Sequence, residues 1–117
     1  MNIEEFREYC LALKGTTEET PFGDNILVFK VMGKMFALTD INDFESINLK
    51  CDPEKAIELR EKYDSVKEGY HMNKKHWNTI LSNGDMNDIT LKYWITHSYD
   101  LVVSKLTKNE KAKLAEL

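Results

Sequence analysis

Cysteine is scarce in this chain of 117 residues: Cys10 and Cys51 stand apart, with no Cys-x-x-Cys and no partner at zinc-ligand spacing. A disulfide scaffold is excluded, and two reduced, buried thiols are expected. The two prolines and five isolated glycines leave no room for a flexible linker or a glycine-rich loop that cradles phosphate. No apolar run approaches membrane-spanning length, and glutamates stand near the N-terminus where a secretory signal would carry lysines. The expectation is a cytoplasmic protein with no membrane partner. An excess of positive charge is also missing: 16 Lys and Arg face 20 Asp and Glu, a formal net charge of −4. Such a field repels polyanions and counts against strong nonspecific nucleic-acid binding, which draws on neutralised phosphates.

What is present fits one domain spanning residues 1 to 117, long enough to bury a single core. Ile3, Phe6, Cys10 and Leu13 share a helical face, Asn2 with Glu5 forms a capping pair, and Gly15 ends a helix over residues 2 to 14. Thr16 to Gly23 reads as a turn. Two apolar strands follow, Asn25 to Met32 and Met35 to Thr39, joined through Gly33-Lys34 as a type II′ hairpin. Phe44 to Lys50 alternates as a third strand. Asp52-Pro53 opens a second helix to about Tyr63, with Ala56, Ile57, Arg60 and Tyr63 as its inward stripe. Val66 to Glu68 and His76 to Leu81 read as two more strands, closed by Ser82-Asn83-Gly84. A long helix from about Asn87 to Leu106 carries Leu91, Ile95, Tyr99 and Val102, and Thr107 with Glu110 caps a last short helix. The order α-β-β-β-α-β-β-α-α predicts an α+β fold of two layers, an antiparallel sheet of about five strands covered by helices.

Charge is uneven along this frame. Residues 1 to 24 carry six carboxylates against Arg7 and Lys14, which accounts for the whole net charge, whereas residues 62 to 77 are locally positive through Lys62, Lys67, Lys74 and Lys75. The run from Lys67 to Trp77 holds the candidates for anion or nucleic-acid binding. Lys67, Lys74 and Lys75 offer point charges, Asn73 a neutral donor, His71 and His76 imidazoles, and Trp77 or Tyr70 a ring on which something flat could stack, Trp77 being otherwise a core residue.

His71 and His76 are five apart, so on one extended strand they point to opposite faces. A zinc site from them and Cys51 would still lack a fourth ligand. Anchoring of the turn by a histidine bonded to a backbone carbonyl, or to the hydroxyl of Ser98 or Tyr99, is the structural expectation. Cys51 before a helix start could be activated as a thiolate, but Asp52 and Glu54 oppose that. Neither an enzyme, nor a metal site, nor a cofactor is expected.

The segments Asn48-Leu49-Lys50 with Pro53-Glu54, His71-Met72-Asn73-Lys74-Lys75-His76-Trp77-Asn78-Thr79, and Ser98-Tyr99-Asp100-Leu101-Val102 together resemble the MmcQ/YjbR family of small bacterial proteins. The resemblance spans essentially the whole chain, and its most specific element is His-x-Asn-Lys-x-His-Trp. It implies a secretion-chaperone-like or frataxin-like fold, and it carries the family's DNA-binding label with a double-wing arrangement. The shared positions are Lys50, His71, Asn73, Lys74, His76, Trp77, Ser98 and Tyr99; Lys75 stands at a free position and enters on charge alone. No catalytic set comes with the family.

Two readings follow. One is weak DNA binding through backbone phosphate, using Lys50, Lys67, His71, Asn73, Lys74, Lys75, His76 and Trp77. The other is an interaction module for a protein partner, a homodimer or a small anion, without nucleic acid.

Overall fold

The computed structural model describes residues 1–69 and 72–117. Four helices, α1 (Ile3–Ala12), α2 (Pro53–Lys62), α3 (Asp88–Ser104) and α4 (Lys108–Ala115), accompany six strands: β1 (Thr16–Glu19), β2 (Ile26–Val31), β3 (Lys34–Asp40), β4 (Ser46–Lys50), β5 (Val66–Glu68) and β6 (Trp77–Leu81). The sheet runs β1-β2-β3-β4-β6-β5, and every neighbouring pair is antiparallel. This is the α+β architecture expected, with one strand more. The added strand is β1, whose Thr-Thr-Glu-Glu sequence has no apolar residue to mark it. At the sheet margin a strand buries little, and β-branched threonine with outward charge suits that position.

Helix starts follow the capping chemistry. Asn2 accepts from the Glu5 amide and Thr107 from the Glu110 amide, with both glutamates reaching back to the cap amides. Asp52 caps α2 ahead of Pro53. The α2 stripe needs correction: Ala56 and Leu59 are buried, whereas Ile57 is 53% exposed. Residues 56, 59, 60 and 63 follow the 3.6-residue period, and 57 lies about 100° off it. The β2–β3 hairpin also turns one residue earlier than expected. Met32 and Gly33 both take positive φ, 49° and 77°, and Val31 pairs with Lys34. Two positive φ values mark a type I′ turn rather than II′, with a methionine in the left-handed region that side chains disfavour.

The principal core lies between the sheet and the helices: Phe6 and Cys10 of α1, Ala56 and Leu59 of α2, and Leu91, Ile95 and Val102 of α3 meet Phe29, Phe36, Ile47, Leu49 and Ile80. Phe6 packs edge-on against Phe29, and Phe36 against Tyr99. A second, smaller cluster is Val28, Leu38 and Trp77, edged by Ile26, Met35 and Met72. Among the described residues no helical side chain contributes to it, so it belongs to the open face of the sheet. No helix among the described residues is long and apolar enough to cross a membrane.

Candidate nucleic-acid interface

The hairpin of β5 and β6 presents the basic run. Asn73 organises the turn from within: its carbonyl accepts from the amides of His76 (3.2 Å) and Trp77 (3.0 Å), and its side-chain oxygen accepts from the Lys75 amide (3.0 Å). An asparagine that completes a backbone turn in this way has only its amide nitrogen left for a ligand. Arg60 of α2 fixes the turn from outside. Its Nε donates to Oδ1 of the buried Asn78 (2.7 Å), Nη2 donates to the Lys74 carbonyl, and Nη1 stands 3.9 Å from Glu68. Asn78 completes the link by donating to the Ala56 carbonyl (3.3 Å).

The basic residues separate into two groups. Lys30 pairs with Glu19 (2.9 Å) and Lys34 lies 3.6 Å from Glu110, so neither is free charge. Lys67, Lys74 and Lys75 are exposed, and no carboxylate forms an ion pair with them among the described residues. Lys50 is half-buried opposite Trp77. Partial burial and then the nearby Lys105 ammonium hold its pKa below the usual lysine value. Cations left unneutralised in an acidic chain are the feature that an anion would relieve.

Other expected contributors fall away. Trp77 is 6% exposed and sealed against Val28 and Leu38, so it presents no ring face for stacking. It opens β6, and the pleat turns its indole onto the apolar patch. His76 is half-buried, and its carbonyl accepts from the Cys51 amide (2.8 Å). The hydroxyls considered as histidine partners are engaged elsewhere: Tyr99 donates to the Lys14 carbonyl (2.6 Å), and Ser98 bonds backbone on two strands. His71, like Tyr70, lies outside the described residues.

Both cysteines are free and buried. Burial, reinforced by the Asp52 carboxylate, pushes the Cys51 thiol up to about 11, which holds it protonated. Among the described residues no cluster of three His, Cys, Asp or Glu side chains is placed to hold a metal ion.

Three residues that sequence reasoning did not place among the site candidates, Phe22, Asn48 and Met72, come into view in the structure. Phe22 is 62% exposed. Together with Met72 and Asn48 it lines a groove of about 500 Å³ on the open face, whose other walls are Ile26, Leu38, Thr39, Asp40 and Ser46. The available signal was an aromatic between Pro21 and Gly23, where no regular element could bury it.

The YjbR family model matches residues 11–101. The chain belongs to the YjbR family. Among its relatives are the uncharacterized protein YbdF of Escherichia coli O157:H7, 39% identical over 80% of this chain and 78% of YbdF, and the uncharacterized protein YjbR of Escherichia coli K12, 29% identical over the full length of both. The crystal structure of the Deinococcus radiodurans protein DR2400, which carries the DUF419 domain, superposes with a TM-score of 0.91 at 40% identity, over 97% of this chain and 88% of that one. A Pseudomonas syringae protein of known crystal structure gives a TM-score of 0.74 at 30% identity, covering 86% and 98% of the two chains. The residues that carried the resemblance take these places: Asn73 organises the turn, Trp77 seals the open-face cluster, and Ser98 and Tyr99 tie α3 to the strands and to the Lys14 carbonyl beyond α1.

Proposed function

We propose that this YjbR-family protein is a weak nucleic-acid-binding module, non-enzymatic, that contacts backbone phosphate through Lys67, Lys74 and Lys75 of the β5–β6 hairpin, with Lys50 and Lys105 beside it. The observation that carries the reading is the grouping of three exposed ammoniums, Lys67, Lys74 and Lys75, on one hairpin with no ion-pair partner among the described residues, while Lys50 opposite Trp77 feels the further charge of Lys105. Each ammonium offers three donors and a compact charge, and Arg60 holds the Lys74 backbone in place while leaving that side chain outward. Three or so contacts give modest affinity that salt removes, in keeping with the acidic balance of the whole chain.

Fluorescence anisotropy with labelled oligonucleotides across ionic strength tests this. With three contacts, log K falls against log salt with a slope of roughly −2 to −3, and each lysine-to-alanine change takes about 0.7 to 0.9 from that slope. Undiminished binding after K67A/K74A/K75A sinks the proposal. The apolar groove on the open face favours a second reading, an interaction module for a protein partner; saturable capture of one defined protein by a surface that retains wild-type affinity after the triple lysine change supports it.

A further inference from the structure

We infer that the open face of the sheet takes single-stranded nucleic acid, with one base seated in the groove of Phe22, Ile26, Leu38 and Met72 and its phosphates running toward Lys67. This rests on the phosphate reading above and adds the part of the polymer that the groove recognises. Register fixes the geometry. Val28 pairs with Leu38, Leu38 with Asn48, Asn48 with Thr79, and Thr79 with Lys67, so these five residues form one row across a single face. A hydrogen bond joins the Thr79 hydroxyl to Asn48 Oδ1 across that row (2.5 Å). The row passes from apolar, through a hydrogen-bonding pair, to an exposed ammonium.

A nucleotide has the same sequence of chemistry: a flat heterocycle with apolar faces and polar edges, then a sugar, then an anion. The groove mixes these requirements. Phe22 supplies an exposed aromatic ring and Met72 a polarizable thioether, while Ser46 and Asn48 stand in the same walls; Thr39 turns its hydroxyl to the Ser46 carbonyl (2.8 Å). Asn48 spends its oxygen on Thr79, which leaves its amide nitrogen to donate to a base edge. Asp40 keeps its charge, and its Oδ1 accepts from the amides of Asn42 (2.9 Å) and Asp43 (3.2 Å); it lies at the Ile26 end of β3, a row removed from Lys67, so the phosphates run away from it. An acyl chain would leave the polar walls without partners, and bases in a duplex have their faces already stacked. Both edges of the groove thus select an unpaired base.

The experiment compares three labelled twelve-nucleotide probes by anisotropy at low salt: oligo-dT, a duplex of the same length, and an abasic strand with equal phosphate. Sedimentation of the free protein accompanies it. Expected is tighter binding of oligo-dT than of the abasic strand or the duplex by about tenfold, the size of one base–aromatic stack. F22A removes that advantage, F22Y keeps it, and neither changes abasic or duplex affinity; Phe22 is exposed, so the fold tolerates both. Equal affinity for oligo-dT and abasic strand, or oligo-dT binding that is indifferent to F22A, overturns the inference while leaving phosphate contact standing. A dimer in which a second copy covers Phe22 and excludes oligo-dT also overturns it. Insensitivity of all three probes to K67A/K74A/K75A overturns the phosphate reading instead.

Discussion

Ser98 shows how one side chain can complete a sheet. It lies on α3 with no exposed surface, donates to the Phe36 carbonyl (2.5 Å) and accepts from the Lys50 amide (2.9 Å). Phe36 sits where the β2–β3 register shifts, next to the last β3–β4 pair, Ala37 with Leu49. The hydroxyl bridges two backbone groups that the ladder no longer joins. S98A strands both, at about 1–3 kcal/mol for each buried unpaired group. An unfolding free energy lower by about 2–6 kcal/mol in denaturant titration is expected, with S98T recovering part of it; a loss below about 1 kcal/mol would contradict the bridge.

His97, one residue earlier, gives the protein a pH response. Its Nε2 accepts from the Asp52 amide (3.2 Å), at the cap of α2. Burial, then the Lys55 ammonium, pulls the imidazole pKa below 6.5, against the opposing pull of Asp52 and Asp100. The unfolded chain therefore holds a proton more readily at this position, so the contribution is fully present above pH 6.5 and is lost as pH falls through the folded value. Melting temperature is expected to fall on acidification from pH 8 to pH 5. H97Q, which keeps an acceptor and cannot titrate, flattens the step due to this residue; an unchanged profile would refute the assignment.

Among the elements, the β5–β6 hairpin depends on α2 through one guanidinium. Replacing Arg60 by alanine leaves the buried Asn78 oxygen unpaired and frees the Lys74 carbonyl, so stability drops by about 1–3 kcal/mol. Amide exchange should accelerate in residues 73 to 77 and barely in α1 or β2. Uniform acceleration would show that the arginine is not a local clamp. The pattern also explains what could be read from the amino acids alone. Caps at Asn2, Asp52 and Thr107 are local chemistry and were legible, as was Val66–Glu68. Thr16–Glu19 was not, because an edge strand without apolar residues resembles a turn. Arg60 looked like part of a helical stripe because its partners, Asn78 and Lys74, are 18 and 14 residues away.

At the scale of the molecule, the antiparallel two-layer plan followed from the order of elements, but the sorting of the lysines did not. Lys30 and Lys34 are no less basic in sequence than Lys74, and only the pairing of β1 with β2 and the placement of α4 give them carboxylates. Trp77 is similar. Whether a residue opening a strand meets solvent or Leu38 depends on β6 lying beside β4, a neighbour reached only after α2 and β5 intervene. The two margins of the sheet carry a last consequence. One is the polar β1 and the other the three-residue β5 bearing Lys67 and Glu68, so neither invites a foreign strand to add on. Growth of the sheet from molecule to molecule is disfavoured at both ends.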